Sequence, residues 1–245
     1  MGFPKTGTTS LSKFFSCGGH EAAHTWAIPN RTHPPPPLGT EEEEVKPERC
    51  GKCIKANIVR KRPPLEGCGA FDIWSDCSYA DWVDKTYDVD CYFPMLQGLA
   101  EIHAAYPHAT FLLGTRDPDT WYKSVSKWGD LEDRLIHCNA TGFPNGNINV
   151  HNASARRDSL TTLLTTQNQL VRDFVAQHPS HTLLEVDIHA NSSQTTATKL
   201  SQAFGISSHC WKNIPPNKGK VNSIKQKELE EQLVLENGVV VEGPK

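Results

Sequence analysis

Two glycines five positions apart, Gly2 and Gly7, bracket Phe3-Pro4-Lys5-Thr6, and Thr8-Thr9-Ser10-Leu11 follow at once. A turn of this kind that opens a helix aims backbone N–H groups inward, and the helix N-terminus adds partial positive charge. Residues 2–9 therefore read as an anion-cradling loop. It feeds a helix over residues 10–17, with Leu11, Phe14 and Phe15 on one face. Gly18 and Gly19 end that helix.

The rest of the chain has to supply a scaffold for this loop. Residues 29–49, with Pro34 to Pro37 and Glu41 to Glu44, read as a surface insertion. Residues 70–76 form a short strand with a polar end, and residues 92–106 a helix. Thr110 to Gly114 is an apolar run of strand length, and Pro118-Asp119 suits the start of a helix to Lys127. Residues 129–158 are polar and loop-rich. A long helix covers 159–177, Thr182 to Val186 is a second buried strand, and a helix from Thr195 to Phe204 closes at Gly205. Short apolar strands alternating with helices predict an α/β fold, a three-layer domain whose short parallel sheet is flanked by helices. The 245 residues suffice for one such domain, residues 1–227, with insertions at 29–69 and 129–158 and a C-terminal helix end and tail at 228–245. A loop of this type normally follows a β-strand, and none is visible ahead of Gly2. Either the chain is N-terminally truncated, or the expected sheet lacks its first strand, in which case the loop is expected to be weakly held and activity low.

The formal net charge is −3, so no global basic field points to nucleic acid or to anionic membrane. Any anion site must be local. No apolar run reaches the length of a membrane span, and no leader peptide is visible. Eight cysteines, an even number, and four N-x-Ser/Thr sequons at Asn30, Asn139, Asn152 and Asn191 favour an oxidising lumen of the secretory pathway, with the cytoplasm as the alternative. Cys50, Cys53, Cys68 and Cys77 could instead hold zinc, but the spacing of the second pair is not that of a zinc ribbon.

The position of the lysine sharpens the loop's chemistry. A nucleoside-triphosphatase loop has Lys directly after its second glycine. Here Thr8 stands there, and the lysine is Lys5, inside the loop. Pro4-Lys5-Thr6-Gly7-Thr8-Thr9 resembles the 5′-phosphosulfate loop of sulfotransferases that use 3′-phosphoadenylyl sulfate (PAPS). A second motif follows the strand at 110–114: Arg116 at the strand end and Ser124 eight positions on, the pair with which that family grips the donor's 3′-phosphate. Phe71 to Asp76, Ala105-Tyr106-Pro107, Leu183 to Asp187, Ala203-Phe204-Gly205 and Pro215 to Lys220 also look like the plant, fungal and algal-type sulfotransferase domain of the P-loop superfamily.

The resemblance implies in-line transfer of a sulfuryl group from PAPS to a hydroxyl or amine of a small-molecule or carbohydrate acceptor. Lys5 would stabilise the leaving phosphate, and Pro4, Thr6, Gly7, Thr8 and Thr9 would cradle the phosphosulfate. Arg116 and Ser124 would hold the 3′-phosphate, while Lys218 and Lys220 would close over the nucleotide. No metal is required, because lysine supplies the charge. Cytosolic relatives take the acceptor's proton with a His after a Lys-Thr pair, a tripeptide this chain lacks; other branches use a carboxylate, for which Asp76 is the first choice and Asp72 the second. Lumenal relatives are Golgi enzymes with an upstream anchor helix. The rival readings are a degenerate P-loop nucleotide kinase or triphosphatase, and an inactive sulfotransferase-like binding module.

Overall fold

A computed structural model describes residues 2–27, 47–83, 88–140, 143, 151–188 and 193–212. The Pro/Glu-rich stretch, Lys218, Lys220, and the expected helix end and tail lie outside them.

The loop leads into α1 (Thr8–Cys17), where Leu11, Phe14 and Phe15 are buried. The Gly18 N–H caps its end at the Phe14 carbonyl, and Gly19 turns the chain away at φ 86°. Two short strands follow, β1 (Ala22–His24) and β2 (Trp26–Ala27), then β3 (Glu48–Arg49) and α2 (Cys50–Val59). Next come β4 (Ile73–Ser75), β5 (Tyr79–Trp82), β6 (Val89–Tyr92), α3 (Pro94–Gln97) and α4 (Leu99–Ala105). The second motif lies between β7 (Thr110–Thr115) and α5 (Pro118–Ser126), followed by α6 (Leu131–His137), α7 (Ala153–Gln177), β8 (Thr182–Asp187), α8 (Ser193–Phe204) and α9 (His209–Lys212).

The strands form parallel pairs with antiparallel additions. β1 runs parallel to β4, with His24 opposite Ser75, and β7 runs parallel to β8 from Thr110 opposite Thr182 to Thr115 opposite Asp187. β2 and β3 extend the first pair antiparallel, and β5 and β6 form a separate antiparallel hairpin. This is the α/β architecture expected: short parallel sheets flanked by helices.

Several boundaries differ from expectation. Gly98, at φ −138° and ψ 10°, divides the helix expected at 92–106 into α3 and α4, and a Cβ there would lie 2.5 Å from the Tyr92 hydroxyl. The supposed loops at 129–158 contain α6, which buries Leu131, Leu135 and Ile136 behind a charged outer face. α7 begins at Ala153 rather than 159, since the Asn152 side chain accepts hydrogen bonds from the N–H groups of Ser154 and Ala155. The 29–69 insertion likewise contains α2, held by two disulfides, Cys50–Cys77 and Cys53–Cys68. Those bonds exclude these four cysteines as zinc ligands. Cys17–Cys210 and Cys91–Cys138 complete the set, and no cysteine is free. Four disulfides fit an oxidising, secretory-type compartment. No described helix is long and apolar enough to cross a membrane.

Among the described residues no strand precedes α1, yet the loop is firmly held. Phe3 is fully buried in the main core, with its ring centroid 5.2 Å from Phe93 and 6.0 Å from Trp121. Trp121 Nε1 donates to the Pro4 carbonyl at 2.8 Å, and Ser75 Oγ, at the end of β4, donates to the Thr8 carbonyl at 3.0 Å. Gly114 in β7 has no side chain where one cannot fit: a Cβ would lie 2.4 Å from the Thr6 carbonyl oxygen. The expectation of a weakly held loop is corrected by these contacts. An aromatic anchor and three hydrogen bonds from distant segments, the third from Arg116 to the Lys5 carbonyl, do the holding.

Candidate active site

The site is built where β1, β4 and β7 end and α1 begins. Gly7 has φ 83°, a left-handed conformation that suits glycine, and its carbonyl accepts the first helical bond, from the Leu11 N–H at 3.0 Å. No side chain caps this helix start. The N–H groups of Gly7, Thr8, Thr9 and Ser10 precede the first intrahelical donor, at the uncapped start of α1.

One member of the expected cradle has a different role. Thr6 is fully buried, and both its hydroxyl, at 2.7 Å, and its N–H, at 3.2 Å, already donate to the Phe3 carbonyl. Its polar atoms therefore shape the loop instead of facing a ligand. Pro4 also acts through its backbone, as the acceptor for Trp121.

Lys5 and Arg116 meet at the mouth of the loop. Arg116 Nη1 donates to the Lys5 carbonyl at 3.0 Å, joining two motifs 111 residues apart. The Lys5 ammonium lies over the Trp128 ring, 3.6 Å from its centroid. Burial lowers the Lys5 pKa, and the neighbouring Arg116 charge lowers it further, with Asp76 acting in the opposite sense. Burial also lowers the pKa of Arg116, which stays charged at any neutral pH. Two cations this close, half removed from water, form a local positive site in a chain of net negative charge. Asp117 caps α5 by accepting the Thr120 N–H at 2.9 Å, and this carries half-buried Ser124 into the second turn of the helix that follows Arg116.

The two carboxylates named from sequence separate. Asp72 precedes β4, is exposed, and sits 3.6 Å from His20 Nδ1. The structure does not bring it to the loop. Asp76 follows β4 at the loop's side. It accepts hydrogen bonds from Thr8 Oγ1 and Ser78 Oγ, each at 3.2 Å, and its Oδ2 is 3.8 Å from His24 Nε2. Burial raises its pKa, while His24, Ser78, Thr8 and Arg49 counteract that rise. His24 Nε2 also meets Thr9 Oγ1 at 3.2 Å.

Sequence reasoning passed over His24, Trp121 and Trp128. A lone histidine in an alanine-rich strand carries no signal of its own. Only the parallel pairing of β1 with β4, not legible from either segment, sets it beside Asp76. Backbone strain marks the same place: of the four described non-glycine residues at positive φ, Lys5 (72°), Thr25 (67°) and Asp76 (53°) lie here, and Lys61 lies elsewhere.

A loop with helix N–H groups and a lysine, crossed by an arginine from a second strand end, is an arrangement of the class suited to an anion. The sequence comparison narrows that class: residues 1–191 match the family model described as a sulfotransferase domain. The chain belongs to the sulfotransferase family. No curated protein and no solved structure matches it.

Proposed function

We propose that the protein transfers the sulfuryl group of PAPS to a hydroxyl or amine of a small-molecule or carbohydrate acceptor. The observation that carries this reading is the Arg116–Lys5 bond, which fixes two separate phosphate-seeking groups in one mouth. A donor with phosphates at both ends of its ribose suits two such groups; a triphosphate chain suits one.

In this reading the N–H groups of Gly7, Thr8 and Thr9 receive the 5′-phosphosulfate. Arg116, with donors left beyond the one spent on Lys5, takes the 3′-phosphate together with the Ser124 hydroxyl. Lys5 moves off Trp128 to neutralise charge on the oxygen that leaves sulfur. That charge supply makes a metal unnecessary. Lys218 and Lys220 remain assigned to closing over the nucleotide, and a Golgi lumen is the compartment that the disulfides and sequons favour.

Calorimetric titration with PAP (the desulfated product) and with ATP tests the donor. The account predicts that PAP binds more tightly. Equal or tighter binding of ATP would return the chain to the nucleotide kinase reading.

A further inference from the structure

We infer that His24 is the group that takes the proton from the acceptor hydroxyl, with Asp76 behind it as a positioning residue; this rests on the sulfotransferase reading above. The evidence is the order in which the two side chains stand. β1 and β4 run parallel, and the register of His24 with Ser75 delivers the histidine and Asp76 together at one edge of the anion loop. Asp76 is the inner member. Its side chain is 16% exposed against 30% for His24, and its oxygens already receive the hydroxyls of Thr8 and Ser78. A carboxylate engaged in this way has little room to meet a substrate.

His24 has the complementary arrangement. Its Nε2 faces Asp76 Oδ2 at 3.8 Å and Thr9 Oγ1 at 3.2 Å. A carboxylate on that side favours the neutral tautomer with hydrogen on Nε2, which leaves the Nδ1 lone pair as the base. No described residue hydrogen-bonds to Nδ1. Thr9 belongs to the turn whose N–H groups would hold the phosphosulfate, so the Nε2 edge of the imidazole lies against that turn. The neighbouring backbone is over-determined. Thr25, directly after His24, donates its N–H to the Ser75 carbonyl and accepts from the Cys50 N–H, and Cys77, directly after Asp76, is bonded to Cys50. One disulfide therefore clamps both members of the pair from the side away from the loop.

The step balances as follows. The acceptor O–H bond breaks and its proton passes to His24 Nδ1. The acceptor oxygen bonds to sulfur as the bond from sulfur to the bridging oxygen of the 5′-phosphate breaks. The electron pair stays on that oxygen, facing Lys5, and the imidazolium is stabilised by Asp76.

The test uses the full chain, radiolabelled PAPS, and a pool of phenols, tyrosyl peptides and saccharides, with PAP calorimetry beside it. His24→Gln is expected to bind PAP within about twofold of wild type yet to lose transfer by at least about 100-fold, the usual weight of one general base. His24→Asn covers the case in which the glutamine variant does not fold. Asp76→Asn should lower kcat while leaving the KM for PAPS unchanged. Nitrogen-15 NMR of wild type should show the Nε2–H tautomer at His24, and Asp76→Asn should mix the two tautomers, a change that a merely structural carboxylate would not cause. Undiminished transfer by a folded His24 variant overturns the inference, as does an Nδ1–H tautomer in wild type. Where no member of the pool is sulfated, the tautomer alone decides. Failure of wild type to bind PAP overturns the donor reading, and the role of His24 with it.

Discussion

The Arg116 guanidinium hydrogen-bonds the backbone carbonyl of Lys5, so the arginine that would read the donor's 3′-phosphate also sets the posture of the lysine that would serve its 5′ end. Lys5 stands at φ 72°, an unfavourable angle for a side-chain-bearing residue, and a charge-assisted bond to its carbonyl helps hold it there.

Arg116→Ala should therefore do two things at once. It should weaken PAP binding by about 1.5–3 kcal/mol, the usual worth of a hydrogen bond to a charged group. It should also loosen the loop. Calorimetry measures the first, and amide hydrogen exchange at residues 4–8 the second. Arg116→Lys should recover only part of either, since a lysine ammonium cannot bridge two acceptors in a planar fork.

Lys5→Ala removes the ammonium from the Trp128 ring and leaves the backbone carbonyl that Arg116 bonds in place. The melting temperature should stay close to wild type, and PAP binding should fall only modestly. Transfer should fall by about 100- to 1,000-fold, the scale seen when one group aimed at developing charge is removed. Transfer assays beside thermal unfolding separate the two effects.

Much of this site was legible in the sequence, and the reasons are local. Gly2, Lys5 and Gly7 define a turn from spacing alone, and Pro118-Asp119 marks the start of α5, although its cap is Asp117. What was not legible depends on pairing between distant segments. Thr6 read as a ligand donor because its neighbours in the motif are donors; its burial under Gly114 is a fact of tertiary packing. Asp76 stood ahead of Asp72 as the carboxylate of one short strand, and β4 sets Asp76 at the loop's side while Asp72 stays exposed at the strand's start. α6 escaped notice because Glu132, Asp133 and Arg134 dominate its composition while three apolar side chains do its packing.

A second cluster predicts how stability responds to pH. His103 Nδ1 meets His181 Nε2 at 3.0 Å, His181 Nδ1 meets the Ala109 carbonyl at 3.0 Å, and the ring centroids of His103 and His178 are 4.2 Å apart. Since the Ala109 carbonyl can only accept, His181 donates to it from Nδ1, and a single hydrogen is shared between His103 Nδ1 and His181 Nε2. Desolvation, then His178 and His181, lowers the pKa of His103. The unfolded chain then binds protons more readily than the folded one, so this contribution to stability is complete above the ordinary histidine value and declines as pH falls through the folded value. Thermal unfolding between about pH 7.5 and 5 should show a falling midpoint below about 6.5. His103→Phe should flatten that fall; an unchanged slope would contradict its assignment to His103.

The Cys17–Cys210 disulfide ties the end of α1 to α9 across 193 residues of sequence. Closing so long a loop in the unfolded chain is worth about 5 kcal/mol in the chain-entropy account. A Cys17→Ser/Cys210→Ser double variant should melt well below wild type under oxidising conditions. Because α1 carries the anion loop at its other end, the variant should also lose PAP affinity near its lowered midpoint. Scanning calorimetry with and without PAP checks both.

The central claim is that Lys5 and Arg116 together form a site for PAPS and not for a nucleoside triphosphate. Competitive calorimetry of PAP against ATP, on wild type and on Arg116→Ala, tests it most directly. The account predicts that wild type prefers PAP and that Arg116→Ala erases most of that preference. A wild-type chain that binds ATP as well as PAP, or an Arg116→Ala variant that keeps the full preference, would contradict it.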